Sequence, residues 1–242
     1  MFHKYYTIIT KILQIYWLFF QNVIFFRHQK TDDKQSLGDA KLEEWTLAIG
    51  DIIVGIDIGT SKVSLVIGEV NNFNQIEVIC TTTHKCNGIR KGKIVDENEI
   101  ASSIHHLIKD AESETDLKIN SAYVTIPGKY VTIVKNSVVK EAKDKYAGIS
   151  AKDVVSSIMQ VKDIDIPEGK QIIDIVENQF VLENGRTVSD PVGNLSGSFT
   201  LKAEVILADR EYMKQIASIF RKVDLDIDGL VPRSEERRVG KE

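Results

Sequence analysis

The sequence predicts an α/β protein, because β-rich runs and a helical apolar pattern follow one another along its middle part. Three runs rich in β-branched residues come first, at Ile52–Asp57, Lys62–Val70 and Gln75–Thr83. A segment with apolar residues at helical spacing follows, and then a short apolar strand at Ala122–Ile126. The order β-β-β-α-β predicts the opening of a mixed α/β domain.

The helix between these strands is predicted from its capping signal and its apolar stripe. Asp96 is an N-cap residue with Glu99 at the N3 position. The apolar residues that follow at helical spacing are Ile100, Ile104, Leu107, Ile108 and Ala111. We expect this stripe to pack on the sheet, in a domain of the ribonuclease-H and actin kind.

Residues 127–208 have a different pattern and predict an inserted β-α-β-β subdomain. Its strands are expected at Tyr130–Val139, Gln171–Glu183 and Phe199–Ala208. Its helix begins at a Ser150 cap, and the inward residues are Val154, Ile158 and Val161. Apolar and polar residues alternate along much of the last strand, which predicts that one face of this sheet is partly solvated.

The chain is then expected to return to the first domain. Asp209 is predicted to cap a helix whose apolar residues are Met213, Ile216, Ala217, Phe220 and Val223. Asp226–Val231 is predicted to be the next strand of the first sheet.

The two ends of the chain differ from this middle segment. Tyr5–Phe26 is mostly aromatic and aliphatic and is long enough to span a bilayer, but basic residues flank it on both sides and set no orientation. Alternatively, the start is translated upstream sequence, because Glu43-Glu44-Trp45 requires purine-rich codons that resemble a ribosome-binding site, with Leu47 as the first native residue. Residues 233–242 are a charge run, either a non-native read-through tail or the solvated start of a native helix.

These patterns divide the chain into five parts. They are an extension at 1–50, the first domain at 51–126, the inserted subdomain at 127–208, the return at 209–232 and the tail at 233–242.

Composition excludes several classes of protein. With 43% hydrophobic residues the 242-residue chain can bury a core, and its formal net charge of −4 gives no support for nucleic acid as a partner. The two cysteines, Cys80 and Cys86, form a poor disulfide framework, so a reducing cytoplasmic setting fits best. A metal site using these cysteines and His84 lacks an evident fourth ligand, and the segment alternates like a strand.

The candidate site is the turn Asp57-Ile-Gly59-Thr60-Ser61-Lys62 between the first two strands. Gly59 is expected to adopt backbone angles that a Cβ would hinder. Backbone N–H groups and the Thr60 and Ser61 hydroxyls can then approach phosphate oxygens, with Lys62 adding positive charge. Asp57 is expected to hold hydrated Mg²⁺ through water. By itself this motif is also compatible with an ordinary hairpin turn.

Three motifs in order along residues 51–231 resemble the FtsA family of actin-like ATPases: Gly55–Val63, Gly88–Asp96 and Asp190–Gly193. The resemblance implies an actin-like first domain in which the inserted block is the family's 1C (SHS2-like) subdomain. It also implies that Asp57, Gly59, Thr60, Ser61 and Lys62 form the first phosphate loop for ATP and Mg²⁺.

The resemblance further implies a cytoplasmic protein, peripheral on the inner face of the cell membrane at the division site. Such a protein self-associates into filaments, links the FtsZ ring to the membrane and recruits later divisome proteins to the septum. The inserted subdomain would serve self-association and contacts with other divisome proteins, and the membrane contact would be a C-terminal amphipathic helix.

Several parts of the family's pattern are missing from this sequence. There is no second Asp-x-Gly-Gly-Gly-Thr loop, no adenosine-binding glycine segment and no terminal amphipathic helix. We therefore expect a truncated actin-like domain with half of the cleft and no activity of its own, from a family that is at most a weak ATPase. The alternatives are an Hsp70-like or sugar-kinase-like ATPase, and a membrane-anchored binding module without nucleotide.

Overall fold

A computed structural model describes residues 48–73, 75–144 and 146–233. The described chain divides into two compact units, one formed by residues 48–130 with 211–233 and the other by residues 131–210. The predictions of a membrane span at residues 5–26, of a native start at Leu47 and of a tail over residues 234–242 lie outside the described residues.

Eleven strands and three α-helices follow one another along the described residues, with five strands before the first helix. The strands are β1 (Ile52–Ile58), β2 (Lys62–Val70), β3 (Ile76–Lys85), β4 (Ile89–Arg90), β5 (Lys93–Ile94), β6 (Ser121–Pro127), β7 (Val131–Glu141), β8 (Lys170–Leu182), β9 (Thr187–Val188), β10 (Ser198–Asp209) and β11 (Asp226–Arg233). The helices are α1 (Glu97–Thr115), α2 (Ala151–Val161) and α3 (Arg210–Lys222), with a short 3-10 helix at Gly128–Tyr130.

The first unit contains a five-stranded sheet in the order β3-β2-β1-β6-β11. Strands β1, β2 and β3 form an antiparallel meander, whereas β6 is parallel to β1 and β11 is parallel to β6. α1 packs against β2 and β3. An antiparallel three-stranded meander, with parallel strands added beside its first strand, is the arrangement of ribonuclease-H-like and actin-like domains. The predicted class of the first domain is therefore confirmed.

Helix α1 begins where its sequence predicts, although only half of the predicted capping geometry forms. The Asp96 carboxylate accepts hydrogen bonds from the backbone N–H groups of Asn98 and Glu99. Glu99 does not return the bond to the N-cap residue, because its carboxylate accepts from the Asn87 backbone N–H at 2.7 Å. All five residues of the predicted apolar stripe are buried: Ile100, Ile104, Leu107, Ile108 and Ala111.

The second unit is a four-stranded antiparallel sheet in the order β7-β10-β8-β9, with α2 packed on β7 and β10. Its core contains one face of β10 and the predicted inward face of α2: Phe199, Leu201, Ala203, Val205, Leu207, Val154, Ile158 and Val161. The opposite face of β10 is partly solvated as predicted, since Lys202 is exposed whereas Ile206 and Ala208 are buried.

The stripe predicted for α3 was wrong at two positions. Met213, Ile216 and Phe220 are buried, but Ala217 is exposed and Val223 follows the last helical residue. The helical period of 3.6 residues instead places Ile219 on the buried face. Ala217 lies outside this buried face and is exposed to solvent. Its exposure costs little free energy, because the alanine side chain has a small apolar surface.

Replacing Ser150 by alanine is expected to destabilise the second unit by about 1 kcal/mol, within a range of about 0.5–2 kcal/mol. Ser150 and Asp153 form a reciprocal capping box at the start of α2, with the Ser150 N–H donating to Asp153 Oδ2 at 3.0 Å. Loss of the hydroxyl leaves the Asp153 N–H without its side-chain acceptor. Urea unfolding followed by circular dichroism measures the change.

Ser102→Ala is the matched control, because Ser102 is exposed within α1 rather than at a helix start. It should leave the unfolding midpoint unchanged or slightly raised, since alanine is the better helix former. Equal midpoints for the two variants would show that the Ser150 cap contributes nothing to stability.

Candidate functional site

The turn between β1 and β2 lies at the edge of the first sheet where three parallel strands end. Asp57 is near the end of β1, and Thr125 lies near the end of the neighbouring β6. Arg233 is the last residue of β11 and pairs with Pro127. Arg233 had been predicted to begin the tail. Open α/β sheets bind ligands beyond the carboxyl ends of their strands, so a ligand site is expected at this edge.

Asp57 is oriented by hydrogen bonds from the neighbouring strands. Its side chain is 16% exposed. Its Oδ1 accepts from the Thr125 hydroxyl and lies 3.5 Å from Arg233 Nη1. Oδ2 faces the turn, 4.0 Å from the position that a Cβ on Gly59 would occupy. The carboxylate is therefore held at the strand end with one oxygen toward the turn.

Gly59 lies where a Cβ would be hindered, as predicted, although its φ is not positive. A Cβ at this position would lie 2.9 Å from the carbonyl oxygen of Lys62. The Gly59 N–H donates to that same carbonyl at 2.9 Å, which closes the turn too tightly for any side chain.

The remaining residues of the turn face outward. Thr60, Ser61 and Lys62 are all exposed. The Ser61 carbonyl accepts from the Cys86 N–H at 3.2 Å, which joins the turn to the chain after β3. The turn therefore has a fixed backbone with two hydroxyls and one ammonium group accessible to a ligand.

A cleft of about 310 Å³ adjoins this turn. Of the five predicted site residues only Thr60 lines it. The lining residues are Ile58, Thr60, Ile89, Lys91, Gly92, Pro127, Lys129 and Arg233. Asp57 is connected to the cleft through Arg233, which both lines it and pairs with the carboxylate.

Sequence reasoning missed the cations of the cleft. Lys91 and Gly92 belong to Gly88–Asp96, a segment that was noted only for its resemblance to a family. The two short β-runs around Lys91-Gly92 are a two-residue hairpin signal that could have been recognised. Nothing local identified Lys129, because it follows a turn dipeptide, Pro127-Gly128, and has no apolar pattern around it.

Two stacked tyrosines lie beside the cleft. The rings of Tyr130 and Tyr212 stack with their centroids 3.9 Å apart. Burial and the neighbouring Tyr130 raise the pKa of Tyr212 above its ordinary value. Arg233 lowers this pKa, and Asp57 raises it. Tyr212 therefore remains a neutral phenol and adds no negative charge next to the cleft.

The residues at this edge fit a magnesium ion held through water. Mg²⁺ on phosphates usually keeps several waters and needs only one or two protein carboxylates. Asp57 supplies one carboxylate with an oxygen toward the turn. Across residues 48–73, 75–144 and 146–233 there is no group of three or more His, Cys, Asp or Glu residues that could bind a metal directly.

Cys80, Cys86 and His84, which were weighed as metal ligands from the sequence, lie on β3 and directly after it. Cys80 and Cys86 are buried free thiols, and burial raises the pKa of Cys80 to about 11. His84 and His106 are exposed and stack at 5.2 Å, and each Nδ1 lies against a backbone carbonyl.

No helix within the described part of the chain has the length and apolar character needed to cross a membrane.

Comparison with known proteins identifies the family of the inserted unit. Residues 128–207 match the family described as "SHS2 domain inserted in FTSA". Proteins named cell division protein FtsA match most of the chain. That of Pseudomonas aeruginosa is 26% identical over 182 residues, and that of Escherichia coli K12 is 21% identical over 180 residues.

This chain is similar to proteins named FtsA. The alignments cover 75% and 74% of the chain but only 43% and 42% of these two relatives, so the chain spans less than half of their length. The match over residues 128–207 confirms that the block inserted in the actin-like fold is of the SHS2 type found in FtsA. The five-part division of the chain stays a prediction.

Solved structures add only a distant likeness to the FtsA relationship. The chain is similar to a structure described as "PilM-PilN type IV pilus biogenesis complex", with 13% identity and a TM-score of 0.49 over 74% of this chain and 47% of that one. A second structure is that of the ethanolamine utilization protein EutJ from Carboxydothermus hydrogenoformans. Its alignment covers 32% of this chain and 27% of the EutJ chain, with 19% identity and a TM-score of 0.29. Neither similarity is high enough to carry an argument about this chain.

Proposed function

We propose that this chain belongs to a bacterial cell division scaffold that binds ATP with Mg²⁺ at the β1–β2 turn. The observation that carries the proposal is the position of that turn. Asp57 and the hydroxyl-bearing turn Gly59-Thr60-Ser61 lie at the carboxyl ends of β1, β6 and β11, beside a cleft lined by three cations. The relationship to proteins named FtsA supports the assignment to cell division.

Each residue of the turn has a distinct role in this proposal. Asp57 orients the hydrated magnesium ion through Oδ2, and Thr125 holds the carboxylate in place through Oδ1. Gly59 keeps the turn tight, Thr60 and Ser61 donate to phosphate oxygens, and Lys62 adds positive charge at the start of β2. When it is bound, Mg²⁺ neutralises charge on the phosphates.

The second unit is proposed to serve self-association into filaments. Strand β7 is an edge strand of 11 residues that pairs on one side only among the described residues, and its Ile133 and Val139 are 54% and 68% exposed. An edge with unpaired backbone groups and apolar side chains is a surface to which another strand or subunit can add. By analogy with FtsA, other divisome proteins bind this unit too.

The remaining elements of the proposal follow from the relationship alone. We place the protein in the cytoplasm, peripheral on the inner membrane face at the division site, linking the FtsZ ring to the membrane and to later divisome proteins. ATP binding controls assembly, and hydrolysis in the whole protein is weak. The match to an FtsA-type insertion favours this function over an Hsp70-like or sugar-kinase-like ATPase.

Titration calorimetry with Mg-ATP on this chain, beside a protein extended to the full length of its relatives, tests the proposal. The extended protein is expected to bind Mg-ATP, and this chain to bind it more weakly, because the sequence supplies one phosphate loop. A Thr60→Val/Ser61→Ala variant of the extended protein should bind about tenfold or more weakly, since two hydrogen bonds to charged phosphates are lost. Failure of the extended protein to bind would refute the nucleotide proposal.

A further inference from the structure

The cleft beside the β1–β2 turn has a second, basic wall that the family resemblance does not assign. The wall consists of Lys91, Gly92 and Lys129, and Arg233 is a further cation of the same lining. No acidic side chain occurs among the described residues that line the cleft. Cations that converge on one cleft repel one another and attract an anion, which makes this wall a candidate for phosphate recognition.

The hairpin β4–β5 holds the wall in a defined shape. Ile89 pairs with Ile94 and Arg90 with Lys93, so Lys91 and Gly92 form a two-residue turn. Both have positive φ, 49° and 73°. This is the conformation of the type I′ turn that matches strand twist, and it favours glycine at the second position. The tip of the hairpin is therefore a defined two-residue turn.

The short 3-10 helix after β6 clamps this tip. Lys129 Nζ donates to the Lys91 carbonyl at 3.2 Å, and the Tyr130 hydroxyl donates to the Gly92 carbonyl at 2.9 Å. Lys129 Nζ also lies 4.7 Å from the centroid of the Tyr130 ring, within cation–π distance. The ammonium group is thus positioned before any ligand arrives.

Gly92 makes room for that ammonium group. A Cβ at position 92 would lie 2.6 Å from Lys129 Nζ and 2.9 Å from its Cε. A lysine ammonium has three donors, and the bond to the Lys91 carbonyl uses one of them. The others are available to an anion in the cleft, where they act as a compact point charge.

We propose that Lys91 and Lys129 bind the polyphosphate chain of the ligand on this second wall, while Thr60 contacts it from the β1–β2 turn. The inference rests on the proposed nucleotide function for its natural ligand, and it assigns two residues and a hairpin to phosphate recognition. Free polyphosphate and the polyphosphate of a nucleotide share this chemistry.

Calorimetric titration of the full chain with inorganic tripolyphosphate in the absence of Mg²⁺, and separately with Mg-ATP, distinguishes these two sources. Lys129→Gln and Lys91→Gln are each expected to weaken tripolyphosphate binding about three- to tenfold, because both side chains are exposed and partly screened. Lys129→Arg, which keeps the charge, should retain most of the affinity.

Lys93→Gln is the matched control, because Lys93 belongs to the same hairpin and is exposed, but does not line the cleft. It should bind tripolyphosphate within about twofold of the unmodified chain, as expected for an exposed charge off the site. If Lys129→Gln and Lys91→Gln bind no more weakly than Lys93→Gln, the basic wall is refuted.

Titration with both ligands distinguishes failure of the basic-wall proposal from failure of the nucleotide proposal. Lysine-dependent binding of tripolyphosphate without binding of Mg-ATP, here and in the extended protein, would uphold the wall and refute the nucleotide proposal. Mg-ATP binding that is insensitive to both lysines would refute the wall and leave the nucleotide proposal standing. If this chain binds neither ligand, the inference is overturned.

Discussion

Phe199→Ala is expected to lower the free energy of unfolding of the 131–210 unit by about 3–5 kcal/mol. Phe199 is 1% exposed and belongs to the buried core that β10 forms with α2. Its ring lies 6.0 Å from that of Phe180, tilted by 58°. Truncation removes the buried ring and leaves a cavity that the surrounding sheet cannot close, because each strand is fixed by its ladder. A loss of that size is a large part of the stability of a small domain.

Phe73→Ala is the control for this experiment, because the Phe73 side chain is 82% exposed. It should change stability by less than about 0.5 kcal/mol. Urea unfolding measures both variants, and hydrogen–deuterium exchange locates the effect. Phe199→Ala should accelerate exchange in α2 and leave α1, which belongs to the other unit, protected. Equal effects of the two substitutions would contradict the described core.

Asp57→Asn is expected to weaken Mg-ATP binding at least about tenfold in the extended protein. An amide keeps the shape of the carboxylate and can still accept from the Thr125 hydroxyl, but it carries no charge to orient hydrated Mg²⁺. Hydrogen bonds to charged groups are worth about 1.5–3 kcal/mol, and each 1.4 kcal/mol is about a tenfold change in affinity.

The decisive comparison is with and without the metal. Chelation of Mg²⁺ should weaken ATP binding by the unsubstituted protein, whereas Asp57→Asn should respond much less to chelation. Asp226→Asn serves as the control, because Asp226 is an exposed carboxylate at the opposite end of β11. An equal loss of affinity in Asp57→Asn with and without Mg²⁺ would mean that Asp57 supports the fold of the turn rather than the metal.

Local patterns predicted the elements well, because capping and the period of apolar residues are set by nearby residues. Asp96 and Ser150 were expected to cap helices and do so. The alternation along the last strand of the inserted block placed Phe199, Leu201 and Leu207 in the core, where they are buried. Period and capping depend on a few consecutive residues, and those residues are visible in the sequence.

Side-chain and backbone partners at the helix cap and the turn were not predicted. Glu99 was expected to complete its own helix cap, but its carboxylate accepts from Asn87, which lies 12 residues earlier. Gly59 was predicted to adopt a conformation that a Cβ would hinder, and the structure identifies the hindering group as the Lys62 carbonyl. Neither partner can be found from spacing alone.

The grouping of cations at the cleft could not be predicted either, because it depends on contacts between distant parts of the chain. Lys129 reaches the Lys91 carbonyl across 38 residues of chain, and Arg233 reaches Asp57 across 176. The residue types, the turns and the apolar faces were legible in the chain. Which cations meet at one cleft depends on the alignment of β6 and β11 beside β1, because that pairing brings strand ends together regardless of their separation in sequence.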